Sequence, residues 1–423
     1  MKFNILLIGS GGREHALARS LAQSESCGNL YAMPGNPGIE EFAKISETDF
    51  NDFIKIIDFC KQFRIDLVVI GPEQPLAAGL SDVLNSHGIT VFGPTMQAAR
   101  LESSKDFSKM LMAENNIPTA SFSTFSSSER EAAHKHIDNM LMPIVLKADG
   151  LAAGKGVVIC DNYDSAHNSL DDMFEGEFGS AGLTVLIEEF MYGQEASVFA
   201  ICDGKDYLLL PSAQDHKKIG VGDKGKNTGG MGAYAPAPIV DDELKNKVEH
   251  LIIKPVLKAM SDSGNPYKGC LYVGLMIDKG NPKVVEFNAR FGDPETQAVM
   301  QLVKGDVAKL FYSAAIGKLD KSCIEIDDKS SCVCIVLASN GYPDKFDKGF
   351  VIDFPKEVKD NQYIYHAGTK KLNGDIITNG GRVLGVTAIA DTMHEAVKSA
   401  YELVDDIKYE NKYFRNDIAH KAL

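Results

Sequence analysis

Two stretches of the sequence carry residue types whose spacing points to phosphoryl chemistry. One is Lys147-Ala148-Asp149-Gly150-Leu151-Ala152-Ala153-Gly154-Lys155-Gly156. Glycines and small alanines let backbone N–H groups approach phosphate oxygens, and Lys147 adds a point charge. A Walker loop is excluded: three residues, not four, separate Gly150 from Gly154, and Gly rather than Ser or Thr follows Lys155. Apolar runs precede and follow this loop, so it reads as a flap between two strands rather than a strand–helix turn. The other stretch is Val285-Glu286-Phe287-Asn288-Ala289-Arg290-Phe291-Gly292-Asp293. On a strand, Glu286 and Asn288 share one face about 7 Å apart, an oxygen pair suited to Mg²⁺ that also takes phosphate and water. Arg290 continues that face if the strand persists, offering a fork for a carboxylate or phosphate.

Weaker signals surround these two. Ile187-Glu188-Glu189-Phe190 ends a strand in acids before an aromatic residue, with Glu195 shortly after. Such a segment can border a purine and its ribose. Gln214-Asp215-His216-Lys217 opens the glycine-rich run Gly220–Ala235, and His216 is the histidine best placed for chemistry. Lys370 and Arg382 could meet a phosphomonoester. Near the start, Gly9-Ser10-Gly11-Gly12-Arg13 follows an apolar strand. A dinucleotide fingerprint would carry glycine at position 14 and an acid at the end of the second strand. The chain has Glu14, and its second strand ends in Met33-Pro34-Gly35. A nicotinamide-dependent oxidoreductase is therefore disfavoured, although the helix N-terminus can still receive an anion.

The elements that must position these residues are legible. Phe3–Ile8, Leu67–Ile70 and Thr90–Phe92 read as strands, separated by helices at His15–Ala22 and Phe50–Phe63. That alternation implies a parallel sheet with ligands at the strand carboxyl ends. A helix is expected over Ser103–Asn116, and the serine-rich Ser121–Ser128 suits a linker. Strands follow at Ile144–Lys147, Gly156–Cys160 and Thr184–Glu189, with a helix at Tyr163–Phe174. Gly220–Ala235 reads as a long loop, and Leu271–Asp278 with Lys283–Asn288 as a hairpin. Strands at Cys332–Ala338, Ile364–Ala367 and Arg382–Ala390 and a helix at Met393–Ile407 form an α+β unit.

At 423 residues the chain calls for several domains. No run of about 18 apolar residues spans a membrane and no signal-peptide pattern opens the chain, so a cytoplasmic protein is expected. The net charge of −14 argues against a nucleic-acid or membrane surface. Eight scattered cysteines show no CxxC or zinc spacing and read as free, buried thiols.

Taken in order, GGREHA at 11–16, GPE at 71–73, KADGLAAGKGV at 147–157, SAQDHK at 212–217, NTGGMGAY at 227–234, EFNARFGDPETQ at 286–297, HAGTK at 366–370 and TNGGRVL at 378–384 resemble the phosphoribosylamine–glycine ligase family of the ATP-grasp superfamily. The resemblance runs from about residue 3 to about 418. It implies an N-terminal parallel-sheet α/β domain (1–102), a central ATP-grasp domain (103–325, with a lid at 122–192) and a small C-terminal α+β domain (326–423). It implies that ATP phosphorylates glycine and that 5-phosphoribosylamine attacks the resulting acyl phosphate. By resemblance, Lys105, Lys147, Gly150, Gly154, Lys155 and Gly156 hold the ATP phosphates. Glu188, Glu189, Phe190 and Met191 hold adenine, and Glu195 the ribose. Glu286 and Asn288 ligate Mg²⁺ or Mn²⁺, and Arg290 and Asp293 serve catalysis. Gly12, Arg13, Glu73, Asp215, Lys370 and Arg382 bind substrate. A monomer or weak dimer is expected. One departure stands out. Many ATP-grasp relatives carry a second acidic metal ligand about twelve residues before the first, where this chain has Gly274. Other ATP-grasp ligases or carboxylases and a non-catalytic nucleotide-binding regulator are the competing readings. The GDPETQ and NTGGMGAY stretches disfavour the carboxylases, and the presence of Lys147, Glu286 and Arg290 disfavours the regulator.

Overall fold

The computed structural model describes residues 2–150, 156–176 and 183–423. Its first sheet is wholly parallel, built from Phe3–Gly9, Cys27–Pro34, Lys44–Ile45, Leu67–Ile70 and Val91–Phe92. Phe3–Gly9 lies in the middle. The chain first winds outward on one side, then returns to add Leu67–Ile70 on the other. That reversal opens a crevice at the carboxyl ends of these two central strands, where Gly9–Arg13 and Gly71–Glu73 sit. Ile5 to Ile8 are fully buried because helices cover both faces. Leu7 packs with Leu17 and Leu21 on one side; Leu6 and Ile8 pack with Ile56 and Leu84 on the other.

A separate antiparallel sheet runs in the order Phe122–Ser126, Thr184–Glu189, Ile144–Ala148, Val157–Cys160. Helices Arg130–Ile137 and Tyr163–Phe174 share a core with it through Ala133, Ile137, Leu170 and Met173. The flap's flanking strands pair as expected, Lys147 opposite Val157. The centre of the glycine-rich loop, including Gly154 and Lys155, lies outside the described residues. The linker expected at Ser121–Ser128 is instead an edge strand. Backbone pairing with Thr184–Glu189 holds it, Phe125 packs against the core, and its half-exposed position tolerates serines that a central strand would not.

A third sheet orders Tyr207–Leu209, Gln194–Asp203, Lys268–Asp278 and Asn281–Asn288, all antiparallel. The last two form the expected hairpin. Its turn residues Lys279 and Gly280 both take positive φ, 49° and 73°, as a two-residue turn matching strand twist requires. The fourth sheet joins Gln214–Asp215 and Gly232–Ala235 to Ser331–Ser339, Arg382–Ala390 and Gln362–His366, under helix Met393–Asp406. Strands from both sides of position 325 therefore share one sheet. Gly220–Ala235 is not a plain loop: Lys218–Gly220 pairs with Lys224–Asn227, and Gly232–Ala235 pairs with Ser331–Ser339. The glycine content hid that pairing. Among the described residues, no helix is long and apolar enough to cross a membrane. All eight cysteines are free and seven are buried.

Candidate active site

The helix expected over Ser103–Asn116 breaks at Ser104, which is extended (φ −137°, ψ 108°) and caps the helix Lys105–Glu114. The break puts Lys105 on the first turn, beside the glycine-rich hairpin. Asp149 at the hairpin's start accepts the backbone N–H groups of Lys105 at 2.6 Å and Asp106 at 3.3 Å. A carboxylate at a helix N-terminus satisfies otherwise orphaned donors. Lys105 Nζ donates to the Gly150 carbonyl at 2.9 Å. Burial lowers the Lys105 pKa, against the pull of Glu286 and Asp149. Lys147, on the strand leading into the hairpin, ion-pairs with Glu188 at 2.9 Å on the neighbouring strand. The same Glu188 oxygen takes Lys109 Nζ at 3.0 Å. Burial pushes the Lys109 pKa down to about 8. The second Glu188 oxygen is buried without a partner and its residue faces the cavity, so it is ready to accept a ligand N–H.

Glu286 and Asn288 share a strand face as their spacing requires, with the Asn288 amide 3.4 Å from Glu286. Burial opposes ionisation of Glu286, but Lys217, Lys147 and Lys105 together hold its pKa below the usual carboxylate range. The strand stops at Asn288, so Arg290 does not reach the site by alternation. It bends towards the first sheet, where its guanidinium meets Glu102 at 2.9 Å and Glu73 at 3.3 Å. Asp293 lies in the same turn. Arg382, from the fourth sheet, reaches across to its carboxylate at 3.0 Å and to its carbonyl at 2.6 Å. Burial works against ionisation of Asp293, yet Arg382 and Arg13 keep its pKa low.

These groups line one cavity of about 460 Å³. It brings together Arg13, Glu73, Lys105, Lys147, Gly150, Gly156, Glu188, Asp215, Glu286, Asn288, Arg290, Asp293 and Arg382 from the sequence reading. Gly12, Glu189, Phe190, Met191, Glu195 and Lys370 lie outside its lining. Glu189 binds Lys283 and the Ser121 N–H, and Glu195 pairs with Lys217 at 2.9 Å. Lys370 is exposed on a hairpin. Asp215 is buried, and burial beside Glu295, Glu195 and Glu286 pushes its carboxyl up to about 8 in spite of Lys217.

Sequence reasoning missed Lys109, Glu102, Lys217, Tyr272 and Glu295, all of which line the cavity. Lys109 lies one helical turn beyond Lys105, so it shares that face, which was a usable signal. Glu295 sits inside the quoted GDPETQ stretch. Its contact with Tyr272 at 3.1 Å depends on a strand pairing that no local pattern reveals. Glu14 explains why the first glycine turn does not fit a dinucleotide. Its carboxylate fills the space where side chains on Gly9 and Gly71 would stand and accepts the Gly11 N–H at 2.6 Å. His216 does not face the cavity.

The donor set fits a hard divalent cation: a carboxylate and an amide oxygen on one strand, inside a cavity lined with cations suited to phosphate. Gly274 pairs directly with Glu286 across the hairpin, so a second acidic ligand is missing at that point. Among the described residues, no group of three or more His, Cys, Asp or Glu side chains is arranged to hold a metal. Phosphate and water would have to complete the shell.

Comparison with known proteins matches this layout along the chain. Family models described as phosphoribosylglycinamide synthetase N domain, ATP-grasp (A) domain and C domain match residues 3–102, 103–296 and 332–421. A phosphoribosylamine–glycine ligase of Rhizobium meliloti (strain 1021) is 46% identical over 419 residues, covering 99% of this chain and 98% of that one. The crystal structure of a phosphoribosylamine–glycine ligase from Thermotoga maritima matches with a TM-score of 0.87 at 33% identity, over 98% of this chain and all of that one. A biotin carboxylase from Campylobacter jejuni matches at 0.76 but with 14% identity, over 98% of this chain and 93% of that one, which shows the shared fold alone. With all three domain models matched in order and close relatives aligned end to end, this chain belongs to the phosphoribosylglycinamide synthetase family.

Proposed function

We propose that the chain joins the carboxylate of glycine to the amine of 5-phosphoribosylamine at the expense of ATP. The observation that carries this reading is the single cavity that gathers Lys105, Lys147, Glu286, Asn288, Arg290, Asp293 and Arg382 from three sheets and the turns between them. Lys105, Lys147 and the backbone of Gly150 and Gly156 face the ATP phosphates. Gly154 and Lys155 complete that loop in our assignment. The free oxygen of Glu188 accepts from the adenine amino group, with Glu189 to Met191 bordering the ring and Glu195 near the ribose. Glu286 and Asn288 hold Mg²⁺ or Mn²⁺, which neutralises phosphate charge when bound. Glycine's carboxylate attacks the γ-phosphorus and ADP leaves, giving glycyl phosphate. The amine of phosphoribosylamine then attacks the acyl carbon and inorganic phosphate leaves, giving glycinamide ribonucleotide. Positioning and charge neutralisation carry both steps, and no side chain becomes covalently bound.

Arg290 stabilises the developing charge, and Asp293 orients the incoming amine. Gly12, Arg13 and Glu73, at the crevice of the first sheet, bind phosphoribosylamine, with Lys370 and Arg382 on its 5-phosphate. Asp215, with Lys217 beside it, faces the glycine ammonium, a second cation that favours the charged form of a carboxyl crowded by Glu295, Glu195 and Glu286. The boundary at 102/103 is supported by the separate first sheet and the lid at 122–192 by its own sheet and core. The boundary at 325/326 rests on the C-domain match from residue 332, since the fourth sheet takes strands from both sides of it. Incubation with ATP, Mg²⁺, glycine and freshly generated phosphoribosylamine should release ADP only when both co-substrates are present. Mass spectrometry should then show glycinamide ribonucleotide. ATP binding without that product would overturn the assignment.

A further inference from the structure

His216 is fully buried yet turned away from the cavity that its two neighbours line. The segment is extended, so side chains alternate. Asp215 and Lys217 point one way and His216 the other. Its ring is held on both edges. Nε2 accepts the backbone N–H of Ala419 at 2.9 Å. A backbone N–H can only donate, so Nε2 carries no proton and the hydrogen sits on Nδ1. Nδ1 faces Asp223 at 3.4 Å. The rings of Tyr234 and His420 flank it, at 6.0 Å and 5.2 Å between centroids.

The two anchors are themselves braced. Asp223 receives Arg415 at 2.8 Å and Lys421 at 2.6 Å. Arg415 is completely buried, forks onto Asp417 at 2.8 Å and 2.7 Å, and donates to the Lys218 carbonyl at 2.9 Å. Asp417 accepts the Gly222 N–H at 2.8 Å. Tyr401 locks the same segment by donating to the Arg415 carbonyl at 2.8 Å and accepting the Ile418 N–H at 3.0 Å. A buried guanidinium with two carboxylates is costly to disturb, so the arrangement tolerates little drift. It grips the hairpin Lys218–Asn227, which begins directly after Lys217, at its first residue and at its turn.

We propose that His216, clamped between Ala419 and Asp223, is a positioning residue that fixes Asp215 and Lys217 in the cavity wall, and that the segment Tyr413–Lys421 thereby supports glycine use from behind the site. The proposal rests on the placement of Asp215 and Lys217 at the glycine end of the cavity. Its reach is selective. The phosphate and adenine contacts come from Lys105, Lys147 and Glu188, none of which touches this clamp; at the ribose, Lys217 meets Glu195 at 2.9 Å in a partly exposed pair. Loss of the clamp therefore falls mainly on glycine use and reaches the nucleotide only through the weak, partly exposed Lys217–Glu195 pair.

The test is steady-state kinetics on His216→Leu, which removes both hydrogen bonds, and His216→Gln, whose side-chain oxygen can replace Nε2 as the acceptor for Ala419. His216→Leu should raise the glycine KM at least tenfold, with ADP affinity by calorimetry within twofold of the parent. His216→Gln should recover most of that loss. A purely structural role would lower the active fraction, and hence kcat, with KM unchanged, and that result would overturn the proposal. Should the leucine variant not fold, His216→Asn, too short to reach Ala419, carries the same comparison. Nitrogen-15 NMR of the histidines provides a second readout. His216 should show a protonated Nδ1 and a bare Nε2, and the opposite tautomer would overturn the clamp. Asp215→Asn separates the two levels of inference. If it raises the glycine KM while His216→Leu does not, the clamp is wrong and the site stands. If Asp215→Asn leaves glycine use untouched, the site assignment fails and the clamp's role with it.

Discussion

Glu188 is the residue whose replacement can be followed furthest in numbers. One of its oxygens receives two ammonium groups, Lys109 at 3.0 Å and Lys147 at 2.9 Å, and the three side chains are 2%, 3% and 9% exposed. Glu188→Gln keeps the shape and removes the carboxylate charge that pairs with both lysines. Breaking a buried ion pair by removing one partner costs roughly 3–5 kcal/mol. With an unfolding entropy of about 2.1 cal/mol/K per residue, a chain of this length unfolding as one unit would lose about 3–6 °C in Tm. The loss should also depend on pH. Burial already lowers Lys109 to about 8 against the pull of Glu188. Without Glu188 its folded pKa falls further, whereas the unfolded value stays near 10.4. A lysine depressed in the folded state binds fewer protons there, so stability rises with pH above the folded pKa. For the variant that rise begins below pH 8; for the parent it begins at about 8. The deficit therefore shrinks as pH climbs towards 8 and is flat above it. Urea unfolding at pH 6 and pH 9 measures it. Glu189→Gln is the control, because Glu189 and Lys283 form an exposed pair worth at most about 1 kcal/mol. Equal losses in the two variants, or a Glu188→Gln deficit identical at both pH values, would refute the reasoning.

Three further outcomes follow from the same geometry. Glu286→Ala should cut turnover by at least about a hundredfold at ordinary Mg²⁺, since a catalytic electrostatic contact is worth about 2.7–4 kcal/mol; Asn288→Ala should lose less and recover with added Mg²⁺ or Mn²⁺. Rates near the parent's in Glu286→Ala would remove it from the metal site. Burial lowers His366 to about 4, and its backbone N–H donates to Nδ1 of buried His15, whose own pKa burial also depresses. Histidines held neutral in the fold bind fewer protons than the unfolded chain, so stability should fall as pH drops from 6.5 through 4, by about 3 kcal/mol for His366 alone. Denaturant titrations at pH 4, 5 and 7 check the slope, and His366→Gln should flatten it. Arg382→Gln breaks charge-assisted bonds to Asp293 worth about 1.5–3 kcal/mol. It should raise the phosphoribosylamine KM about 10- to 150-fold with ATP affinity unchanged, and a parallel loss of ATP affinity would count against its placement.

What was legible in the sequence follows the range of the interactions. Strand Leu67–Ile70, helix Tyr163–Phe174 and strand Thr184–Glu189 coincide with their sequence-based bounds because apolar period and end signals are local. Glu286 and Asn288 were found for the same reason: two positions on one strand face need no tertiary knowledge. Arg290 was found for a different reason than the one given. Strand alternation suggested it, but the strand ends first, and a bend aims the guanidinium at Glu73 and Glu102 from the first sheet. Ser121–Ser128 was misread because composition outweighed pairing: a serine-rich edge strand gets its stability from the strand beside it. Gly220–Ala235 failed in the same way, since its last strand is completed by residues a hundred positions later.

The same distinction explains His216. A lone histidine next to Asp215 and Lys217 invites a catalytic reading, and alternation along an extended segment permits only one side of that trio to face the substrate. Which side does so depends on what fills the space behind. Here Ala419 offers a backbone N–H that requires an unprotonated nitrogen, and Asp223 offers a carboxylate to the other edge. Those two contacts leave the ring no free nitrogen for proton transfer. They also tie the cavity wall to Arg415, which pairs with Asp223 at 2.8 Å and Asp417 at 2.7 Å. On the proposed clamp, a substitution at Arg415, which never meets substrate, should be felt at Asp215 before it is felt at Lys147: Arg415→Gln should raise the glycine KM with ADP affinity little changed, and an equal loss of both would refute it.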